Sequence, residues 1–238
     1  MRLSDFEVMY TLENSYWWYV AKREYIGLFL KPKLKKNYRI LDIGCGTGGT
    51  SQFLKQFGKV IGLEKNPAAR KFSKQRGLLV VAGSANKLPF SSNTFNIVTI
   101  LDVISYQGID EKKALGEIYR VLKSKGLLIL NDSALPWMWT YHDEVIQIKQ
   151  RYTKQQMVQL VTNARFNIIR ASYIYMLTLP FFILSRLIIQ ITKPPNTVQN
   201  IPSFLNRFLL FVMKCERKLF RLTDLPLGSS VFIVAQKP

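Results

Sequence analysis

The sequence predicts an α/β fold, an open and mostly parallel sheet with helices on both faces. Three observations carry this expectation. Tyr38 to Gly49 reads YRILDIGCGTGG, an apolar run entering a glycine-rich turn with the start of a helix behind it. A second apolar run, Lys59 to Leu63, closes on an acid, Glu64, twenty residues past Gly44. Beyond these, short apolar runs alternate with amphipathic segments, the pattern of strands and crossover helices. Ile40, Leu41 and Ile43 suit a parallel strand buried on both faces. Glycines in the turn after it let a ligand lie against bare main chain. The spacing satisfies both GxGxxG (Gly44, Gly46, Gly49), a dinucleotide pattern, and GxGxG (Gly44, Gly46, Gly48). Glu64 suits ribose hydroxyls in either case, whereas Asp42, inside the strand, is where a carboxylate would meet a cationic ligand.

Four motifs in order, ILDIGCGTGG with GLEKNP, then GSANKLPF (Gly83 to Phe90), FNIVTILDVISY (Phe95 to Tyr106) and ALGEIYRVLKSKGLLIL (Ala114 to Leu130), resemble the class I S-adenosylmethionine-dependent methyltransferases of the type 11-like group. The resemblance implies a Rossmann-like seven-stranded sheet, mostly parallel, with the last strand inserted antiparallel between the fifth and sixth. It implies S-adenosyl-L-methionine as cofactor and methyl transfer to an oxygen or nitrogen. It places cofactor contacts at Asp42, Gly44, Cys45, Gly46 and Gly48, at Glu64 and Lys65 around the ribose, and at Leu101, Asp102 and Val103 where the fourth strand ends. Ser84, Ala85 and Asn86 fall around the adenine, with Ser84 standing where the family usually has an acid. The N-terminal YWWY, the segment Asp132 to Thr153 and the closing LPLGSSVFIVAQKP are similar to a subset often met beside glycosyltransferase and polysaccharide genes. That likeness spans nearly the whole chain without identifying the acceptor.

In chain order, Ser4 to Leu30 reads as helical, with Asn14 or Ser15 a cap before Tyr16 and Pro32 a stop. Four consecutive aromatics, Tyr16 to Tyr19, cannot all face one core, and Arg23 shares a helical face with Tyr16 and Tyr19. Tyr19 and Arg23 are therefore expected either to reach over the cofactor as a lid or to pack a plain amphipathic helix on the sheet. Lys31 to Lys36 reads as a linker. A helix from Ser51 to Phe57 follows the glycine turn, Pro67 opens another that Gly77 closes, and Leu78 to Ala82 is a third strand. Strands are expected at Asn96 to Leu101, Gly126 to Asn131, Phe166 to Tyr175 and Ser230 to Gln236, and helices at Asp110 to Lys123 and Thr153 to Ala164. Glu117 and Arg120 read as a structural pair.

Met176 to Ile191, the most apolar stretch, holds Pro180 and Arg186 and is too short to span a membrane. A buried cap helix and a segment lying in a membrane interface both fit it, the latter helped by the basic helix Phe204 to Arg221. Lys193 to Pro202 reads as a linker. The expected organisation is an N-terminal lid (1–36), a cofactor-binding core (37–175), a helical cap (176–222) and a final core strand (223–238).

The formal net charge is +19, and from Lys149 to Pro238 there are 13 basic residues against Glu216 and Asp224. Such a surface attracts phosphates on nucleic acid, lipid or substrate, and also keeps a protein in solution. Only two cysteines occur, Cys45 and Cys215, so a disulfide framework is excluded as an expectation, and no metal-ligand cluster is visible. The first residues do not resemble a signal peptide, which points to the cytoplasm, with peripheral contact at the inner membrane face through 176–191 and the basic C-terminal helix.

His142, the sole histidine, lies among Trp137, Trp139, Tyr141, Arg151 and Tyr152, the expected acceptor-lining residues. His142 with Asp143, and Tyr106, are the candidate catalytic groups, because methylating an oxygen benefits from a base near neutral pKa. The competing reading is a histidine that ties down a loop. The acceptor is expected to be a small molecule, a lipid-linked compound or a glycan. RNA methylation on the basic surface is the first alternative, weakened because LDVISY replaces the Asn-Pro-Pro-aromatic turn of base-methylating enzymes. An S-adenosylmethionine-binding protein without turnover and a nicotinamide oxidoreductase are the others.

Overall fold

The computed structural model describes residues 3–31, 37–192 and 201–238. Two helices, α1 (Leu3–Leu12) and α2 (Trp17–Leu30), precede the sheet. The first half of the core is β1 (Tyr38–Ile43), α3 (Gly49–Leu54), β2 (Gly58–Glu64), α4 (Pro67–Gln75) and β3 (Leu79–Ala82). It continues through β4 (Phe95–Leu101), α5 (Glu111–Val121), β5 (Leu122–Ser133), a short α6 (Tyr141–Val145), α7 (Lys154–Asn163) and β6 (Asn167–Ile174). Two helices, α8 (Leu179–Thr192) and α9 (Ser203–Leu222), and β7 (Ser230–Gln236) complete the chain.

The strands lie in the order β3-β2-β1-β4-β5-β7-β6, with β7 antiparallel to both β5 and β6 and the remaining neighbours parallel. This is the Rossmann-like sheet that the resemblance implied. Connections run to opposite sides of the β1 and β4 pair, so the loops at their carboxyl ends diverge and leave a crevice where such sheets bind ligands.

Alternation along the strands divides the core into two layers. Leu41, Val98, Leu128 and Ile233 face a layer completed by Leu115 and Ile118 of α5 and Val161 of α7. Ile40, Ile97, Ile129 and Phe232 face the other, completed by Tyr25 and Ile26 of α2 and Met213 and Phe220 of α9. Local chemistry sets the helix starts: Asn66 accepts from the Ala68 and Ala69 amides ahead of Pro67, and Thr153 and Gln156 form a capping box on α7. Glu117 and Arg120 do form a structural pair; the guanidinium also donates to the Leu88 and Phe90 carbonyls and so fixes the LPF loop.

Two expectations are corrected. The helix break expected before Tyr16 is present between α1 and α2, but neither Asn14 nor Ser15 caps the second helix. The Arg23 guanidinium donates to the Glu13 carbonyl (2.6 Å) and the Asn14 carbonyl (3.4 Å), which holds a turn there, and Tyr16 becomes the cap residue. β5 begins at Leu122 rather than Gly126, because Leu122 already pairs with Phe95. The stop at Pro32, the basic run after Lys31 and residues 193–200 of the expected linker lie outside the described residues.

Candidate active site

At the carboxyl end of β1 the chain turns through Gly44, Gly46 and Gly48, with φ of +69°, +55° and +94°. Only glycine holds this backbone without strain. The turn is fastened from three sides. The Gly46 N–H donates to Glu64 Oε2 (3.0 Å), and Glu64 Oε1 accepts from the Asn66 N–H (2.8 Å). Ser73 Oγ donates to the Gly46 carbonyl (2.7 Å) and Arg76 Nε to the Thr47 carbonyl (3.0 Å). Glu13, buried in the turn between α1 and α2, accepts from Thr47 Oγ1 (2.8 Å) and pairs with Arg76 (2.8 Å). The N-terminal hairpin thus rests directly on the glycine turn.

Asp42 is 2% exposed and accepts from Ser51 Oγ (2.6 Å) and Thr99 Oγ1 (2.7 Å). Its side chain ties the first turn of α3 to β1 and β4. Burial pushes its carboxyl up to about 6, and Glu64 adds to that. Asp132, near the end of β5, accepts from the Ser105 and Ser133 amides, and burial together with Asp102 pushes it up to about 6. Asp102 follows β4 at φ +54°, a strained conformation for a non-glycine residue. Its amide donates to the Asn131 carbonyl (2.7 Å), its Oδ1 accepts from Asn131 Nδ2 (2.9 Å) and its Oδ2 from the Lys22 ammonium. Lys22 is buried, with its Nζ 3.6 Å from the centre of the Trp18 ring.

Four parallel strands therefore end in carboxylates, Asp42, Glu64, Asp102 and Asp132, in a chain of net charge +19. Among the described residues Lys22 is the cation that forms an ion pair with this group. The local field favours a positively charged ligand. Tyr106 lies within reach of it: burial, then Asp102, Asp132 and Glu64, push its phenol up, so it remains a neutral donor at physiological pH.

The other expected cofactor residues divide by placement. Tyr19 stands beside this group, its phenol pushed up by burial and by Glu13 and Asp102. Arg23 holds the α1–α2 turn and does not reach out as a lid. Cys45 Sγ packs where a Cβ on Gly62 would fall, and its thiol is pushed up by burial, so only its main chain faces the turn. Val103 packs on Gly44, and Leu101 is partly buried behind it. Lys65 is exposed, and its carbonyl accepts from Arg70. Ser84 Oγ accepts from the Asn86 amide (3.3 Å) and Ala85 is core. Asn86 staples its loop to Gly108 and Asp110.

The expected acceptor group is not assembled. Asp143 is 0% exposed; it caps α6 at Thr140 and pairs with Arg151 (2.8 Å), itself 4% exposed. Both are scaffold. Tyr152 is buried and donates to Glu111 Oε1 (2.7 Å). Burial, followed by Arg186, pushes His142 down to about 3, and its Nδ1 has no hydrogen-bond partner among the described residues. Such an imidazole is a weak base. Trp137 and Trp139 are exposed, and the Tyr141 amide donates to Gln190 of α8.

Residues missed from the sequence are Glu13, Lys22, Ser73 and Arg76. Only Lys22 gave a local signal, its i, i+4 spacing from Trp18. The observed groups fit a nucleoside carrying a cationic sulfur: each Glu64 oxygen has accepting capacity left for a hydroxyl, and the crevice is rich in anionic charge.

Strand order, glycine turn and the acid closing β2 define a class I S-adenosylmethionine-dependent methyltransferase fold. Residues 41–130 match the family described as a methyltransferase domain. A demethylmenaquinone methyltransferase from Lactiplantibacillus plantarum is 31% identical over 144 residues, covering 52% of this chain and 60% of that protein. The sterol 24-C-methyltransferase of Kluyveromyces lactis is 34% identical over 117 residues, covering 45% and 31%. The chain spans about half the length of the first curated relatives it matches, between 46% and 60%. Among solved structures, geranyl diphosphate C-methyltransferase from Streptomyces coelicolor, in complex with S-adenosyl-L-homocysteine, superposes with a TM-score of 0.62 at 15% identity, covering 90% of this chain and 80% of that one. At that identity the likeness is one of fold.

Proposed function

We propose that the protein is an S-adenosylmethionine-dependent methyltransferase acting on a small-molecule, lipid-linked or glycan acceptor, at the inner face of a membrane. The observation that carries this is the convergence of the glycine turn, Glu64 and the strand-end carboxylates on one crevice. Glu64 would accept the ribose hydroxyls, the Gly44 to Gly48 main chain would lie along the amino acid portion, and Asp42, Asp102 and Asp132 would supply the anionic field. S-adenosylmethionine, when bound, supplies a methyl group already activated by its sulfonium. What remains for the chain is alignment of the acceptor and exclusion of water. Trp18, Tyr19 and Lys22 of α2 would cover the crevice, and the neutral Tyr106 phenol would donate a hydrogen bond at its mouth. A group titrating near neutrality is not needed when the acceptor is already nucleophilic, in keeping with a half-buried His142 pushed down to about 3. Relatives named for quinone and sterol methylation support an apolar acceptor.

A second reading, methylation of RNA, is favoured by the net charge of +19. One experiment decides between them: incubation with methyl-labelled S-adenosylmethionine and separated lipid, small-molecule and RNA fractions of a cell extract. Label is expected in the lipid or small-molecule fraction. Label confined to RNA supports the second reading, and none in any fraction contradicts both.

A further inference from the structure

Helix α8 is apolar on both faces: Leu179, Phe182 and Ile183 pack against the core, and a second set of apolar side chains points away from it. Its one charged residue is turned inward: Arg186 donates to Thr140 Oγ1 (3.3 Å) and pairs with Asp143 (3.6 Å), while the exposed Gln190 accepts from the Tyr141 amide (2.8 Å). Phe181, Leu184, Leu187, Ile188 and Ile191 are between 48% and 82% exposed and follow one another at helical spacing along the outer face. The stretch read from sequence as either a buried cap or an interfacial segment thus packs on the core with one face and carries apolar side chains outward on the other.

Helix α9 continues this surface. Phe204, Phe208 and Phe211 are 49% to 73% exposed, and Phe208 meets Phe181 of α8 edge to face, 6.4 Å between ring centres. Arg207, Lys214, Lys218 and Arg221 run beside this apolar line and are exposed. The acid of α9, Glu216, is turned inward, where it accepts from Tyr25 Oη (2.6 Å) and the Tyr175 and Leu177 amides. Ten of the seventeen exposed large hydrophobic residues among the described residues belong to these two helices. Exposed apolar surface so concentrated marks a binding face.

We propose that the outer face of α8 and α9 docks on an anionic membrane surface, apolar side chains entering the headgroup region and the α9 cations lying along the lipid phosphates. Charge selects this occupant. A second copy would set the same basic stripe against itself, and an acid-rich protein would leave the α8 face, which carries no charge outward, without a complement. No helix among the described residues is long and apolar enough to cross a membrane, so the contact lies in the plane of the interface. Trp137 and Trp139, exposed on the loop leading to Thr140, stand beside α8 and suit the same boundary. Docking stands on these helices alone; its meaning, delivery of a lipid-borne acceptor to the crevice, rests on the methyl transfer proposed above.

The test is flotation of the full chain with vesicles of phosphatidylglycerol and phosphatidylcholine, against phosphatidylcholine alone. The protein is expected to float with the anionic vesicles and to partition about tenfold less onto neutral ones. Lys214→Glu with Lys218→Glu, and separately Leu184→Ser with Ile188→Ser and Phe211→Ser, should each lower partition by about tenfold or more while leaving S-adenosylhomocysteine affinity unchanged. All five side chains are exposed or lie on the outer face, so folding is retained. Protein left at the bottom of the gradient overturns the proposal, as does a dimer that the apolar variant converts to monomer, which assigns the face to a second copy. Flotation without S-adenosylhomocysteine binding would sink the methyl-transfer reading and leave docking intact.

Discussion

Arg151 is a residue whose chemistry and position point in different directions. In the sequence it sits among aromatics as though lining an acceptor site, yet it donates to the Ala134 carbonyl (2.9 Å) and to buried Asp143 (2.8 Å). Arg151→Met strands much of a carboxylate in the interior, where the loss is typically 3 to 5 kcal/mol. Urea unfolding should show about 3 kcal/mol or more lost, and a loss under about 1 kcal/mol would return Arg151 to the surface. His142→Ala makes the complementary case. A general base contributes roughly 10² to 10⁴ in rate, so a variant within a few-fold of the parent in turnover is the expected result, and a hundredfold fall would restore the base. At this scale the glycine turn and the position of Glu64 at the end of β2 were legible because backbone geometry and the length of the apolar run constrain them locally. Asp143, Arg23 and Arg151 were not, since burial and pairing are decided by chain segments far away.

Among elements, the N-terminal hairpin departs furthest from its sequence reading. The four aromatics suggested a lid built on Tyr19 and Arg23, whereas contact is made by Met9 and Glu13 at the glycine turn and by Lys22 at Asp102. Periodicity found the helix but could not say which of its polar residues turn inward. If the hairpin closes on the cofactor, S-adenosylhomocysteine should slow amide exchange in α1 by roughly tenfold, equivalent to about 1.4 kcal/mol of added local stability. Unchanged exchange would make the hairpin passive. The strands fared better: seven were read at nearly the observed positions, and β7 lies between β5 and β6 as the resemblance implied. Boundaries slipped where pairing, as at Leu122, extends a strand beyond its apolar run.

Over the whole molecule, charge is separated: the net charge is +19, yet Asp42, Glu64, Asp102 and Asp132 gather at the carboxyl ends of adjacent parallel strands. Asp42 and Asp132 are pushed up to about 6 from an ordinary value of 3.8. Folding therefore binds protons between these values; the stability they contribute is full below about 3.8 and is lost as pH rises through about 6. A cationic ligand gains what folding loses. The preference for S-adenosylmethionine over its uncharged-sulfur product should grow as pH passes upward through 6, by on the order of 1 kcal/mol, in paired calorimetric titrations. A ratio independent of pH would remove these carboxylates from the cofactor's field. Net charge was plain in the sequence, but its segregation was not, because it arises only when four strands end side by side.

The central claim is that a ribose is gripped where β2 ends. Calorimetry with S-adenosylhomocysteine on the parent protein and on Glu64→Ala tests it directly. Binding weakened by roughly 1.5 to 3 kcal/mol in the variant, with NAD bound by neither, is the predicted result. Equal affinity in parent and variant, or a parent that binds NAD and not S-adenosylhomocysteine, would contradict it.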